Sequence, residues 1–183
     1  MKISKNIYLK EFKYKKNKKI ILILRKLISE KNSVISSLGK SYNYSYNKKL
    51  LNKLKKYSKI NLIGMGGSSL GARSIYNFLK KKIKKDFYFN DNLSLKKLKN
   101  KKTKNLLNLI ISKSGNTLET IVNTSIFINK NQKNVFLTEN KNSYLFNLAK
   151  KLKSEIIFHN NYIGGRYSVL SEVGMLPAEL MGL

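Results

Sequence analysis

The chain has 183 residues, 42% of them hydrophobic, no cysteine, and 38 lysines and arginines against 9 acidic residues, for a net charge of +29. That length suits one domain with an arm, and the lack of cysteine excludes disulfides, thiolate metal sites and cysteine nucleophiles. No apolar run approaches the roughly 18 residues a membrane helix needs, and the first apolar block, Ile20 to Leu24, lacks a signal-peptide layout, so a soluble cytoplasmic protein with no membrane partner is expected.

A chain this basic adheres to polyanions at low salt. Yet its arginines are few: Arg25, Arg73 and Arg166. Readers of base edges favour arginine, set in a known module or beside aromatics. No such module is legible. The lysines therefore read first as solvated faces and second as nonspecific affinity for nucleic acid or an acidic partner.

In chain order, residues 1–57 form a lysine-rich, mainly helical segment. Ile20–Ile28 and Lys48–Tyr57 carry apolar spacings that suit helices. Ser36–Gly39 and the tyrosine-rich Ser41–Tyr46 read as loops. Gly39-Lys40-Ser41 has the form of the end of a P-loop, but the first glycine of that pattern would fall at Val34. From residue 58 the pattern changes. Short apolar runs (Ile60–Ile63, Phe87–Phe89, Leu106–Ile111, Val135–Leu137, Ile156–Phe158) alternate with amphipathic segments (Leu70–Lys84, Leu93–Leu98, Thr117–Ile128, Ser143–Leu152). Five strands alternating with helices predict an α/β fold. The expected architecture is a three-layer α/β/α sandwich around a five-stranded parallel sheet of flavodoxin-like topology. Residues 58–165 form this domain, and 166–183 start a connection to further chain.

Ligands of open α/β sheets bind at the carboxyl ends of the strands. Three unusual stretches fall there. Gly64 to Arg73 (GMGGSSLGAR) follows the first strand; its glycines allow close backbone approach, and a helix N-terminus follows. Gly64 and Gly66 fit a dinucleotide fingerprint, but the third position is Ser69. Asp91 offers a ribose partner for that reading, and an ordinary tight turn is the plain alternative. Ser112 to Thr117 (SKSGNT) sets three hydroxyls on a strand-to-helix turn, with free amides beyond. That is a neutral cradle for a phosphate monoester; an N-cap at Asn116 or Thr117 is the plain alternative. Gly164 to Leu180 holds Arg166, the last arginine of the chain, behind two glycines. Its planar donors suit an oxyanion, and a surface arginine is the alternative.

Together and in this order, GMGGSSLG, SKSGNTLET and GGRYSVLSEVGMLP resemble the glucose-6-phosphate isomerase family, over residues 58 to 183. The resemblance implies a sugar-isomerase domain that binds phosphosugars. It places the phosphate at Ser112, Ser114 and Thr117, helped by the backbone of Lys113 and Gly115. Gly67 and Ser68 would line the sugar. Arg166 would stabilise the enediolate, and Glu119 would have a catalytic role, such as orienting a histidine; a helix salt bridge is the bland alternative. The implied reaction interconverts glucose 6-phosphate and fructose 6-phosphate, by ring opening and a cis-enediol, in glycolysis and gluconeogenesis. It needs no metal or organic cofactor, and the implied assembly is a homodimer.

The family's base glutamate, ring-opening histidine and lysine lie downstream and have no counterpart here. The expectation is therefore an N-terminal part of the enzyme, ending in a helix cut short, that binds phosphosugar but is weakly active or inactive alone. Glu172 and Glu179 read as surface or helix-packing residues, and His159 as outside the chemistry. Two other readings stay open: a non-catalytic sugar-phosphate sensor on the same domain, and a basic nucleic-acid binder.

Overall fold

A computed structural model describes residues 2–4, 7–8, 17–30, 32–39, 41–93, 105–129 and 131–183. The N-terminal segment opens with a short antiparallel pair, β1 (Lys2–Ser4) and β2 (Ile7–Tyr8). Helix α1 (Lys18–Ser29) starts at Asn17, whose side chain accepts from the Ile20 amide. It buries none of its residues. A single turn, α2 (Ser33–Ser36), precedes the expected loop. Helix α3 (Lys48–Leu54) is shorter than the expected Lys48–Tyr57, and it buries Leu51 and Leu54.

Five parallel strands follow: β3 (Lys59–Gly64), β4 (Asp86–Asn90), β5 (Leu106–Ile111), β6 (Lys133–Thr138) and β7 (Glu155–Phe158). Their order in the sheet is β4-β3-β5-β6-β7. The chain starts inside, moves to one edge, returns, and then winds outward in the other direction, which is the flavodoxin-like order. Each expected strand is present and one or two residues longer at one or both ends, except β5, which matches residue for residue.

Helices cover both faces. α4 (Gly67–Leu79) and α7 (Glu172–Met181) lie on one; α5 (Leu118–Phe127) and α6 (Tyr144–Lys151) lie on the other. Strand residues alternate between the two layers. Ile60, Leu62, Leu107 and Leu109 face the larger core with Ala72, Leu176 and Leu180. Ile63, Ile110 and Phe136 face the smaller core with Leu145 and Ala149. On that second side the sheet also carries a buried amide ladder. Asn61 Nδ2 donates to Asn108 Oδ1 at 2.9 Å, and Asn108 Nδ2 donates to Asn134 Oδ1 at 2.9 Å. Asn90 donates to Asn61 at the outer strand. A one-residue slip would leave these buried amides unpaired, so the ladder pins the register.

The helices differ from expectation at their starts. α4 begins at Gly67 rather than Leu70, because Gly66 takes φ +58 and turns the chain directly into the helix. It ends at Leu79, with a 3-10 turn at Lys80–Lys82. The expected helix Leu93–Leu98 lies outside the described residues from position 94 on. Among the described residues no helix is long and apolar enough to cross a membrane, and no cluster of potential metal ligands is present.

Packing continues across both expected divisions, at residues 57 and 165. Leu51 and Leu54 of α3, and Val173, Leu176, Leu180 and Met181 of α7, all join the larger core. The tyrosine-rich loop is tied to α7 by two bonds: Tyr42 Oη donates to Glu172 Oε2 at 2.7 Å, and Tyr46 Oη donates to Glu179 Oε1 at 2.8 Å. Glu172 is therefore no surface residue; it is fully buried.

Candidate functional site

All three unusual stretches meet at the carboxyl end of the sheet. The SKSGNT turn leaves β5 and enters α5. Ser112 is buried, and its hydroxyl works inside the turn. It donates to Thr117 Oγ1 at 3.2 Å and accepts from the Gly115 amide at 3.2 Å. Ser114 Oγ lies 3.4 Å from Thr117 Oγ1 and accepts from the Asn116 amide. Thr117 is the N-cap of α5, yet its side chain makes no capping bond. The first amides of that helix therefore keep their donors free, at the positive end of the helix dipole.

Gly115 has φ +68, a conformation that costs any residue with a Cβ. A Cβ there would also lie 2.1 Å from Ser143 Oγ. The loop after β6 is docked this closely by a series of bonds. Ser112 N donates to Leu137 O at 3.0 Å, Glu139 N to Lys113 O at 3.1 Å, and Leu145 N to Gly115 O at 3.0 Å. The Tyr144 amide donates to Asn116 Oδ1 at 2.8 Å. The Lys113 side chain reaches in another direction. Its ammonium donates to the Asn161 carbonyl at 2.7 Å and lies 3.5 Å from Glu139 Oε1.

The GMGGSS turn plays a different part. A Cβ on Gly67 would lie 2.1 Å from the Gly165 carbonyl oxygen, and one on Gly71 would lie 2.5 Å from Val169 Cγ2. These glycines admit the GGR segment, which folds as a 3-10 helix over Gly165–Leu170 against α4. Asp91, the expected ribose partner of a dinucleotide reading, is taken by Arg73 in an ion pair.

Two cavities result. One, of about 450 Å³, is lined by Ser68, Lys113, Ser114, Thr117, Glu139, Lys141 and Gly165. The other, of about 470 Å³, lies beside it and includes Gly67, Gly71, Gly165, Arg166 and Val169. Gly165 belongs to both. Of the residues expected from sequence, Ser68, Lys113, Ser114 and Thr117 thus share one cavity. Gly67 and Arg166 share the neighbouring one. Ser112 and Gly115 stand behind the first as supports, and Glu119 lines neither. Among the described residues the side chains of Glu119 and Arg166 have no ion pair. Sequence reasoning missed Glu139 and Lys141. Their place after β6, at the carboxyl end of an adjacent strand, was the signal that could have found them.

Behind the GGR segment lies a buried polar network. His159 Nδ1 is 3.3 Å from Glu172 Oε1, and its Nε2 is 3.1 Å from the Ile163 carbonyl. Both ring nitrogens thus have an oxygen partner within the protein. Burial pushes the Glu172 carboxyl up, but hydrogen bonds from His159, Tyr42 and its own backbone outweigh this and hold it below the usual glutamate range. The network ties Ile163 and Glu172, on either side of the turn that carries Arg166, to His159.

The comparisons with known proteins follow the same lines. The family model described as phosphoglucose isomerase matches residues 51–182. Glucose-6-phosphate isomerase of Borreliella afzelii (strain PKo) is 37% identical over 77% of this chain and 31% of its own length. That of Acholeplasma laidlawii (strain PG-8A) is 34% identical over 74% of this chain and 36% of its own length. The chain thus spans about a third of the length of these curated relatives. Among solved structures, a hypothetical protein from Thermus thermophilus superposes with a TM-score of 0.67 at 21% identity, over 90% of this chain and 46% of its own. This last likeness shows a shared fold.

Proposed function

The chain belongs to the phosphoglucose isomerase family, and on that premise we propose that it is the phosphosugar-binding part of a glucose-6-phosphate isomerase. One observation carries the reading: Ser68, Ser114, Thr117 and Gly165, drawn from three separate motifs, line a single cavity at the carboxyl end of the sheet. The phosphate of glucose 6-phosphate or fructose 6-phosphate sits against the hydroxyls of Ser114 and Thr117 and the first amides of α5. Ser112 and Gly115 hold that cradle in shape. The sugar extends past Ser68 and Gly67 toward Arg166, in the adjoining cavity.

In aldose–ketose isomerisation a proton moves between neighbouring carbons through a cis-enediol. Negative charge then develops on oxygen, and the guanidinium of Arg166 stabilises it. Glu119 stands on the first turn of α5, away from both cavities, so it acts on the reaction only through other groups. The base implied by the family resemblance has no counterpart in these residues. The 183 residues alone therefore bind phosphosugar and turn it over slowly or not at all. A cytoplasmic location and a homodimer belong to the same proposal for the whole enzyme.

The test is thermal stability in 6-phosphogluconate, a sugar-acid phosphate that resembles the enediolate, at physiological salt. Ligand at a hundredfold over Kd stabilises the folded state by about 2.7 kcal/mol. Stabilisation that inorganic phosphate does not match, and that Ser114→Ala removes, supports the reading. A folded protein with no response to the sugar phosphate refutes it. Stabilisation by nucleic acid instead, lost with salt and unchanged in Ser114→Ala, favours the basic-binder reading.

A further inference from the structure

The phosphate cavity is bordered by a charge arrangement that the hydroxyl cradle does not explain. Glu139 leaves β6 and turns into the cavity, its side chain only 12% exposed. A carboxylate there repels a phosphate dianion. Two lysines offset it: Lys113 at 3.5 Å from Oε1 and Lys141 at 3.1 Å from Oε2. The lysines are not equivalent. The Lys113 ammonium is also held by the Asn161 carbonyl at 2.7 Å. Lys141 has no side-chain partner except Glu139 among the described residues, and its side chain is 54% exposed. One cation is thus fixed and the other is held by a single exposed pair.

Resting on the phosphosugar reading above, we propose that Lys141 is a specificity residue for the phosphate dianion, stored on Glu139 in the empty site and transferred to the phosphate on binding. The charge count favours the transfer. With Lys141 on Glu139, an entering dianion meets the hydroxyls and the amides of α5 but no cation, while the single carboxylate holds two. With Lys141 moved onto the phosphate, each anion keeps one cation, because Lys113 stays with Glu139. An ammonium on a flexible stem is suited to this, since it binds as a point charge and needs no fixed geometry. Docking of the β6–α6 loop on the SKSGNT turn, through Glu139 N to Lys113 O and Leu145 N to Gly115 O, keeps Lys141 beside the cavity in both states. The transfer selects a phosphate monoester dianion over its monoanion and over uncharged sugars, because only a full second charge outcompetes Glu139.

Titration calorimetry with 6-phosphogluconate tests this on the whole chain at about pH 7.5, where the phosphate is a dianion. Lys141→Met weakens binding about tenfold, the scale of one charge-assisted bond, and Lys141→Arg restores most of it. Glu139→Gln tightens binding several-fold, since it releases Lys141 to the phosphate while Lys113 already offsets the carboxylate in the wild type. A control, Lys151→Met on the far end of α6, changes affinity less than twofold. The double variant separates transfer from bulk charge: the gain from Glu139→Gln vanishes in a Lys141→Met background. In the wild type, affinity falls as pH drops below about 6, where the phosphate becomes a monoanion, and this fall is shallower in Lys141→Met. Additive effects in the double variant, or equal affinity of Lys141→Met and wild type, overturn the proposal while leaving the phosphosugar reading in place. A wild-type chain that is folded but binds no sugar phosphate overturns both, and the Ser114→Ala comparison then has nothing to remove.

Discussion

The two strand-to-helix turns at the carboxyl end of the sheet look alike in sequence and do opposite work. GMGGSSLG uses two of its glycines to admit protein: Gly67 and Gly71 leave room for the backbone and side chain of residues 165–169. SKSGNT uses its one glycine for its own conformation and turns its remaining hydroxyls outward, to a cavity. A glycine-rich turn is thus not evidence of a ligand by itself. What separates the cases is what a Cβ would strike, a neighbouring segment in one turn and the docked loop that shapes the cradle in the other.

That contrast can be broken by substitution. The largest expected effect is Gly67→Ala, which forces the GGR segment off α4. It loses about 3 kcal/mol in denaturant melts, the upper range for overpacking. A loss under about 0.5 kcal/mol, the level of a surface change, would mean that the close approach to Gly165 is not maintained in solution. Gly115→Ala comes next, at about 2 kcal/mol, from the left-handed backbone and the Ser143 contact together. It differs from Gly67→Ala in a second readout: at temperatures where the variant is folded, its response to 6-phosphogluconate is lost.

Ser114→Ala sharpens the contrast from the other side. Its stability stays within about 0.5 kcal/mol of wild type, while sugar-phosphate affinity drops about tenfold. Equal losses in both measurements would make Ser114 a structural residue like Ser112. The smallest effect is seen at acid pH. The folded-state pKa of Glu172 is lowered, so its contribution is complete above the ordinary glutamate pKa of about 4.3 and is lost as pH falls through the lower folded value. Wild-type melting temperature therefore declines below about pH 4, and this part of the decline is absent in Glu172→Gln. Identical slopes in the two proteins would remove Glu172 from the acid response.

Much of this molecule was legible beforehand because its signals are local. Strand β5 reads as an apolar run broken only by Asn108, since both its faces are covered, and its predicted bounds match the structure. Hydroxyls followed by a glycine at the end of that run mark the proposed phosphate turn for the same reason: a strand that stops at a helix start leaves backbone donors unpaired. The bounds of α4 were less legible. Leu70 is its first large apolar residue, but the helix starts three residues earlier, on glycine and serine that carry no periodicity.

By itself the sequence determined the alternation of strands and helices, the parallel sheet and the three motifs, because period, turn chemistry and spacing act over a few residues. Only the tertiary structure decided which glycines serve packing, and that Ser112 faces inward while Ser114 lines the cavity. It also placed Glu139 and Lys141 beside a turn some 25 positions away and joined Tyr42 to Glu172 across 130 residues. Those contacts depend on the order in which strands lie side by side, and no local pattern encodes how far apart in the chain two neighbours in space will be.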